Sequence, residues 1–260
     1  MVNTTSTELE DRASERAEAV SSLVVSAGAD GRSVVRRLRG SAPLGFRELH
    51  VPSDCPAACY VAIVQTAAYL VGGDDVRLRV RVDEGATLEL REISATLVHP
   101  GEPARLIIDF EVGDHARLVF AELPLIVAAG ARLERRLTIT LGVGSQVVHR
   151  DTLVLGRHGE PPGEALVQSR IERSGVPVLD ETLDSGELSS LRSAAVVGDA
   201  RVIGTLGRYG VPGAAPEGAF ALSETDTLVR RLARRTRDLH DLDACQNDWS
   251  SAMLSAWHAI

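Results

Sequence analysis

The residue types and spacing of the stretch Gly72-Gly73-Asp74-Asp75 could do chemistry. It ends an apolar run and leads into a stretch in which alternate residues are arginine, at Arg77, Arg79 and Arg81. Glycine adopts positive φ easily and Asp bonds to nearby backbone, so a plain turn is one interpretation. Carboxylates held at a strand end can also bind a divalent cation, so a metal contact is the other interpretation.

A second candidate is the segment LGRHGEPPGEAL, residues 155–166. It leaves one predicted strand, crosses a loop rich in Gly and Pro, and enters another strand. It carries Arg157, His158, Glu160 and Glu164. These side chains are either solvated charges on a loop or a second set of carboxylates with an imidazole.

Two further groups of residues could hold a metal, judged by residue type alone. Cys55 and Cys59 have a suitable spacing but no evident third and fourth ligands, so reduced structural thiols are the simpler interpretation. His240, Asp243 and Cys245 are spaced i, i+3 and i+5, which does not place all three on one helix face. The stretch 230–243 with its five arginines is either a solvated helix face or a contact surface for an acidic protein.

Composition excludes several classes of protein. All 28 basic residues are arginine, so the chain lacks the lysine of a P-loop, a Schiff-base enzyme or a protein kinase. It also lacks the HExxH and GxSxG motifs and a GxGxxG after a strand. A net charge of −8 disfavours nucleic acid as a partner. No signal-peptide pattern or membrane-length apolar run is present, which predicts a soluble cytoplasmic protein.

The elements that must position these residues are predicted to be strands. Apolar and polar residues alternate in residues 76–82 and 106–112, and again in 133–143, where Arg135 alone breaks the apolar face. Residues 147–155 form a fourth, more apolar run. Gly85, Gly113, Gly130 and Gly144 punctuate these runs at spacings of 28, 17 and 14 residues. The pattern predicts a mainly β fold, an irregular β-helix-like stack of strands with glycine corners.

The two ends of the chain differ from this body. Residues 1–18 are polar and predict a disordered extension, followed by a single β-rich domain over 19–260. Ser223 with Asp226 resembles a capping box, and apolar residues at helical spacing follow it. We therefore expect two C-terminal helices, at about 223–243 and 246–259.

Three segments together resemble the family of urease accessory protein D, also called H. They are QTAAYLVGGDDVRLRVRVDEGATLEL, AGARLERRLTITLGVGSQVVHRDTLVLGRHGEPPGEAL and ERSGVPVLDETL, and GRSVVRRLRGSAPLGFRELHVP upstream is similar to the family's early strands. The resemblance covers about residues 19–210 in the same order. The segment REISATLVHPGEP lacks the lysine that the family usually carries there, which indicates a divergent member.

The resemblance implies a urease maturation scaffold and not an enzyme. Its expected partners are urease apoprotein, a helical accessory protein of the UreF type and a GTPase of the UreG type, with no nucleic acid and no membrane. It implies no tightly bound cofactor but transient Ni²⁺ contact, for which Asp74 and Glu164 are the matching carboxylates. The other matching positions are Gly72, Gly73, Gly156, Arg157 and Gly163. The alternative is a β-rich protein-interaction module without metal handling; a glycosidase-like hydrolase would need a pocket with two carboxylates.

Overall fold

The computed structural model describes residues 19–52, 55, 57–66, 69–186 and 197–255. The predicted polar extension, residues 1–18, lies outside the described residues. The assignment of residues 19–260 to one domain stays a prediction.

The described chain consists mainly of strands and has one α-helix at its C-terminal end. In chain order the elements are β1 (Ala19–Ala27), β2 (Ser33–Arg39), β3 (Leu44–Glu48), β4 (Cys59–Gln65), β5 (Tyr69–Leu70), β6 (Asp75–Val82), β7 (Thr87–Glu92), β8 (Thr96–Val98), β9 (Ala104–Val112), β10 (Arg117–Ala121), β11 (Leu125–Val127), β12 (Arg132–Leu141), β13 (Gln146–Leu155), β14 (Glu164–Arg173), β15 (Val176–Asp184), β16 (Val202–Tyr209), β17 (Ala219–Ala221), β18 (Thr227–Ala233), a 3₁₀ turn (Thr236–Leu239) and α1 (His240–Ser255).

The strands form two sheets. The first, sheet A, has seven strands in the order β15-β14-β12-β9-β6-β1-β2. The second, sheet B, has 11 strands; its main path is β17-β18-β16-β13-β10-β7-β4-β3, and the short strands β5, β8 and β11 pair beside it. The chain passes repeatedly from sheet A to sheet B and back, as in β6-β7-β8, β9-β10-β11 and β12-β13, and neighbouring coils pair in parallel.

This arrangement is the stacked-strand, solenoid-like body that the sequence predicts, so the predicted fold class is confirmed. Its corners recur more evenly than the glycine spacings suggest. The left-handed residue of successive corners is Gly85 (φ 67°), His115 (φ 55°) and Gly144 (φ 64°). Their spacing is 30 and then 29 residues, because His115, and not Gly113, takes the corner position of the middle coil.

The main core lies between the two sheets. In β6 the apolar residues of the alternation face inward, and Val76, Leu78, Val80 and Val82 are each at most 2% exposed. The inward residues of β9, β12, β7 and β10 pack against the same core. A fully buried aliphatic side chain contributes about 1.5–3 kcal/mol, so the aliphatic alternation provides most of the favourable free energy of folding.

A second apolar layer lies between the outer face of sheet B and α1. It includes Leu239, Leu242, Trp249 and Met253, all at most 8% exposed. The guanidinium of Arg208 lies 4.5 Å from the Trp249 ring centroid, a cation–π contact that adds to the packing. None of the helices in the described ranges is both long and apolar enough to cross a membrane.

The predicted helix over 223–243 is wrong. Thr227–Ala233 is strand β18, which pairs antiparallel with β16, and helical structure begins only after it. The spacing of the apolar residues predicted a helix whose leucines share one buried face. In the structure Leu228 is buried but Leu232 is 45% exposed, so the two do not share such a face. Pairing to the free edge of β16 decided the local structure, as tertiary context often does.

The second predicted helix, over 246–259, is contained in α1 up to Ser255; residues 256–259 lie outside the described residues. The helix starts earlier than predicted, at His240. The predicted capping box, Ser223 with Asp226, does not begin a helix, and Asp226 pairs with Arg173 instead. Its carboxylate accepts hydrogen bonds from both terminal nitrogens of Arg173, at 2.9 Å each.

Candidate functional site

The Gly72-Gly73-Asp74 turn closes on itself. The Asp74 carboxylate accepts a hydrogen bond from the Val71 N–H at 2.9 Å, and the Asp74 N–H donates to the Val71 carbonyl at 3.1 Å. One carboxylate oxygen of Asp74 is therefore occupied by the turn. The structure supports the turn interpretation for this oxygen.

Steric constraints explain why both Gly72 and Gly73 are glycine. Gly73 has φ 84°, the left-handed region that favours glycine. A Cβ on Gly72 would lie 2.4 Å from the backbone nitrogen of Glu102, which belongs to the corner of the next coil. Gly72 therefore lets two stacked corners approach closely.

The loop at 156–164 is fixed by internal bonds. Arg157 Nε donates to Glu160 at 2.8 Å, and the hydrogen bond from Arg157 is the main reason that the pKa of Glu160 falls to about 2. Gly156 has φ 86°. A Cβ on Gly163 would lie 2.3 Å from the Ala128 carbonyl oxygen, so this residue too marks a close contact between neighbouring corners. Glu164 is exposed at the start of β14.

Asp74 and Glu164 lie along the same ridge of the solenoid, the ridge where each coil enters sheet A. They do not meet, because β9 and β12 stand between β6 and β14. Three strand spacings plus the offset in register place their backbones about 15 Å apart. A single ion cannot contact both. Across the described residues, no group of three or more His, Cys, Asp or Glu side chains could hold a metal ion.

The other candidate groups do not form sites either. The three cysteines are free, and burial raises the pKa of Cys59 to about 11, which keeps it a thiol at neutral pH. Burial also raises the pKa of Cys245. Asp243, which the sequence analysis considered together with His240 and Cys245 as a metal site, is paired with Arg150 on sheet B.

The arginines of 230–243 are not a continuous basic helix face. Arg230 pairs with Glu181, Arg231 with Asp241, and Arg234 with Asp199. Much of this stretch is a strand, so its arginines are distributed over different surroundings.

The structure adds a group of charged side chains that the sequence motifs do not identify. We call it the interior polar cluster: Glu92, Glu122, Arg135, His149 and Asp151. Arg135 projects from β12 into the space between the sheets and has a side chain only 2% exposed. Its Nη2 donates to the Glu122 carboxylate at 2.5 Å, and its Nη1 lies 3.5 Å from Asp151.

One feature of the sequence indicated this cluster, namely the interrupted alternation of polar and apolar residues in β12. Arg135 is the residue that breaks the apolar face of β12, and a charge at an inward position must find partners or it would destabilise the fold. The partners could not be named from the sequence, because Glu122 and Asp151 come from other parts of the coil. His149, on β13, is 3% exposed, and its Nε2 lies 3.1 Å from Glu122.

The two glutamates of the cluster are held in opposite protonation states. Burial tends to raise the Glu122 pKa, but Arg135 and His149 outweigh it and hold the pKa below its ordinary value. Burial and the nearby negative Glu122 raise the pKa of Glu92 to about 8. The pair therefore carries one proton and one negative charge near neutral pH.

Two residues of the cluster, Glu92 and Glu122, line a surface cleft of about 510 Å³. The cleft lies between the outer face of sheet B and the helical C-terminal segment, and its lining includes Glu89, Glu92, Glu122 and Asp243. Glu92 also borders a small inner cavity of about 20 Å³. The buried Nε of Arg150, in the cleft wall, has no hydrogen-bond partner among the described residues. The arrangement offers carboxyl oxygens along the lining of the cleft.

Comparison with known proteins gives a consistent result. The family model described as UreD urease accessory protein matches residues 17–256. A Streptomyces griseus protein named urease accessory protein UreD 1 is 34% identical over 190 residues, which cover 72% of this chain and 73% of that relative. A Saccharopolyspora erythraea protein of the same name is 33% identical over 189 residues, covering 71% and 74%. A Streptomyces coelicolor urease accessory protein UreD is 32% identical over 167 residues, covering 62% and 65%.

Proposed function

The chain belongs to the UreD family of urease accessory proteins, and we propose from this premise that it is a non-catalytic scaffold that binds urease apoprotein and helps deliver Ni²⁺ to its active site. The family supports a role in urease maturation. The proposed partners beside urease are a helical accessory protein of the UreF type and a GTPase of the UreG type. A chain without lysine has no P-loop lysine of its own, so GTP hydrolysis belongs to a partner.

The observation that carries nickel handling is the cleft, whose lining includes the carboxylates of Glu89, Glu122 and Asp243 beside the protonated Glu92. Carboxylate oxygens bind Ni²⁺ less tightly than imidazole or thiolate ligands do, which suits a carrier that must release its ion. Nickel is the cargo in this proposal.

Asp74 and Glu164 remain proposed nickel contacts on the surface ridge. Glu164 is exposed and Asp74 is partly exposed. Because they are about 15 Å apart, they would act as separate stations and not as one site. Arg132 lies on β12 next to Glu164 in register, so a cation moving between the two stations would pass a positive charge.

The test is nickel loading of urease produced with the other accessory proteins, with this chain included, omitted or mutated. We expect Asp74→Ala and Glu164→Ala to leave the chain folded and to lower the nickel content per urease active site. Glu84→Ala, an exposed carboxylate on the opposite corner, is the matched control. Normal loading by both variants would refute these two contacts, and equal loading without the chain would refute the maturation role.

The second candidate function is a β-rich interaction module without metal handling. The observation in its favour is that Arg135 already neutralises Glu122 and Asp151, which leaves less negative charge for a cation. This function predicts that the chain co-purifies with urease whether or not nickel is present, and that loading is the same without it.

A further inference from the structure

Sheet A has an arginine-rich outer face. On β6 the residues opposite to the buried alternation are Arg77, Arg79 and Arg81. On the other side of β1, strand β2 brings Arg37 and Arg39 to the same face, because Arg37 pairs in register with Val24 and Arg39 with Ser22. We call these five residues the arginine face.

Strand β1 forms a trough between the two rows of arginines. Its outward residues Val20, Ser22 and Val24 are small and partly exposed, while their neighbours Leu23 and Val25 are fully buried. Arg39 and Arg79 both lie beside Ser22 in register. Since adjacent strands are about 4.8 Å apart, the two rows stand about 10 Å apart across the trough.

The two rows differ in charge compensation. Arg77 pairs with Asp75 at 3.3 Å, Arg81 with Asp83 at 2.6 Å, and Arg79 lies 4.0 Å from Asp109.

Arg37 and Arg39 are exposed, and neither forms an ion pair within the described part of the chain. Within the described residues, the β2 row is thus a line of positive charge without ion-pair partners, on a chain whose net charge is −8.

We propose that the arginine face is a docking surface for an extended, acidic segment of a partner protein. Same-face residues of a strand repeat every two residues, about 7 Å apart, in both the arginine rows and an extended ligand. Carboxylates at alternate positions of such a segment would therefore match Arg37 and Arg39 while its backbone lies over β1. Complementary charge of this kind mainly provides specificity and fast association.

The face suits a polypeptide better than a nucleic acid. Asp75, Asp83 and Asp109 stand among the arginines of β6 and would repel a continuous phosphate backbone. The arginine face and the β1 trough contain no aromatic side chain on which a base could stack. The proposal goes beyond urease maturation and does not depend on nickel.

The test uses the full chain and a fluorescein-labelled ten-residue peptide of alternating Glu and Thr, with binding followed by fluorescence anisotropy. A peptide of the same composition with its five glutamates in one block is the ligand control. The variant is Arg37→Ser/Arg39→Ser. The matched control is Arg234→Ser/Arg237→Ser, whose arginine side chains are 74% and 70% exposed on another part of the surface. Each double variant changes the net charge from −8 to −10, since two positive charges are lost.

We expect the alternating peptide to bind more tightly than the block peptide, with affinity that falls as salt is added. Arg37→Ser/Arg39→Ser should weaken binding about fivefold or more, and the control pair should change it less than about twofold. Equal weakening by both pairs, equal binding of both peptides, or no binding would overturn the proposal.

The same variants also test two other possible occupants of the arginine face, a nucleic acid and a second copy of this chain. Preference for a 20-base-pair DNA duplex over the peptide, lost in Arg37→Ser/Arg39→Ser, would overturn the proposal in favour of nucleic acid. Self-association of the chain in sedimentation velocity, lost only in that variant, would overturn it in favour of a second copy. A monomeric chain that binds the alternating peptide supports it.

Discussion

Arg135 shows how one residue can organise a site inside an otherwise aliphatic body. It occupies an inward position of β12, where its neighbours Leu133 and Leu137 are buried and apolar. Its charge is balanced by Glu122 and Asp151, both contributed by the sheet B side of the coil. A buried cation of this kind stabilises the fold only while its partners remain, because an unpaired buried charge is strongly unfavourable.

Replacing this cation should therefore be costly. Arg135→Met keeps the bulk of the side chain but leaves Glu122 and Asp151 without their main counter-charge. We expect the free energy of unfolding to fall by about 3–5 kcal/mol in urea denaturation at neutral pH. The control is Arg136→Met on the same strand. Arg136 is exposed, and within the described residues its side chain bonds only to Gln168. This variant should change the free energy of unfolding by less than about 0.5 kcal/mol.

A further substitution distinguishes lost charge pairing from lost packing. Adding Glu122→Gln to Arg135→Met removes one of the orphaned charges and should recover part of the lost stability. If Arg135→Met were as stable as Arg136→Met, the electrostatic account of the cluster would be wrong.

At the scale of elements, the corners between strands explain most of the residues in the family motifs. Gly72 and Gly163 lie at equivalent corners of different coils, and a Cβ at either would collide with the backbone of an adjacent corner. The spacing of stacked strands leaves no room for the corners to move apart locally. These glycines are explained by coil stacking, so their presence in the motif does not by itself indicate a nickel contact.

Gly163→Ala tests this explanation. The new Cβ would lie 2.3 Å from the Ala128 oxygen, a backbone atom that cannot shift alone. We expect a loss of about 2 kcal/mol or more in the free energy of unfolding, in the range caused by overpacking. Gly45→Ala is the control, because its Cβ would make an ordinary 3.6 Å contact and should cost less than about 1 kcal/mol. A Gly163→Ala variant as stable as Gly45→Ala would show that the corners can separate.

At the scale of the whole molecule, Glu92 links the cleft to the pH dependence of folding. In the unfolded chain its carboxyl titrates near about 4.3. In the folded protein burial and Glu122 raise the pKa to about 8. Between these values the folded state binds more protons than the unfolded state, so this group makes stability fall as pH rises. The stabilisation is complete below about pH 4 and is lost by about pH 8.

Glu92→Gln should remove this dependence. We expect the wild-type free energy of unfolding to decline between about pH 5 and 8, by up to about 1.4 kcal/mol for each pH unit, and the variant to decline less. The limit is an upper one because Glu92 lines the cleft and stays partly exposed to solvent. Glu102→Gln, with a side chain 82% exposed, is the control and should follow the wild type. Parallel curves for Glu92→Gln and the wild type would contradict the raised pKa.

The sequence determined the class of fold and the family of this protein. Alternation in residues 76–82 fixes which side chains are buried, because successive residues of a strand point to opposite faces. The order of the Gly-Gly-Asp turn, the Gly-Ala corners and the Leu-Gly-Arg loop carried the resemblance to the UreD family, with which the family match over residues 17–256 agrees. These features are local, so they are readable along one chain.

Which distant residues and strands become neighbours was decided by the tertiary structure alone. It made Thr227–Ala233 a strand, because the open edge of β16 offers hydrogen bonds that the helical spacing of its leucines cannot reveal. It separated Asp74 from Glu164 by two intervening strands, and it joined Glu122, Arg135 and Asp151 across the body. Both outcomes depend on which coils stack and in what register, and that is a property of pairing between distant segments and not of any one of them.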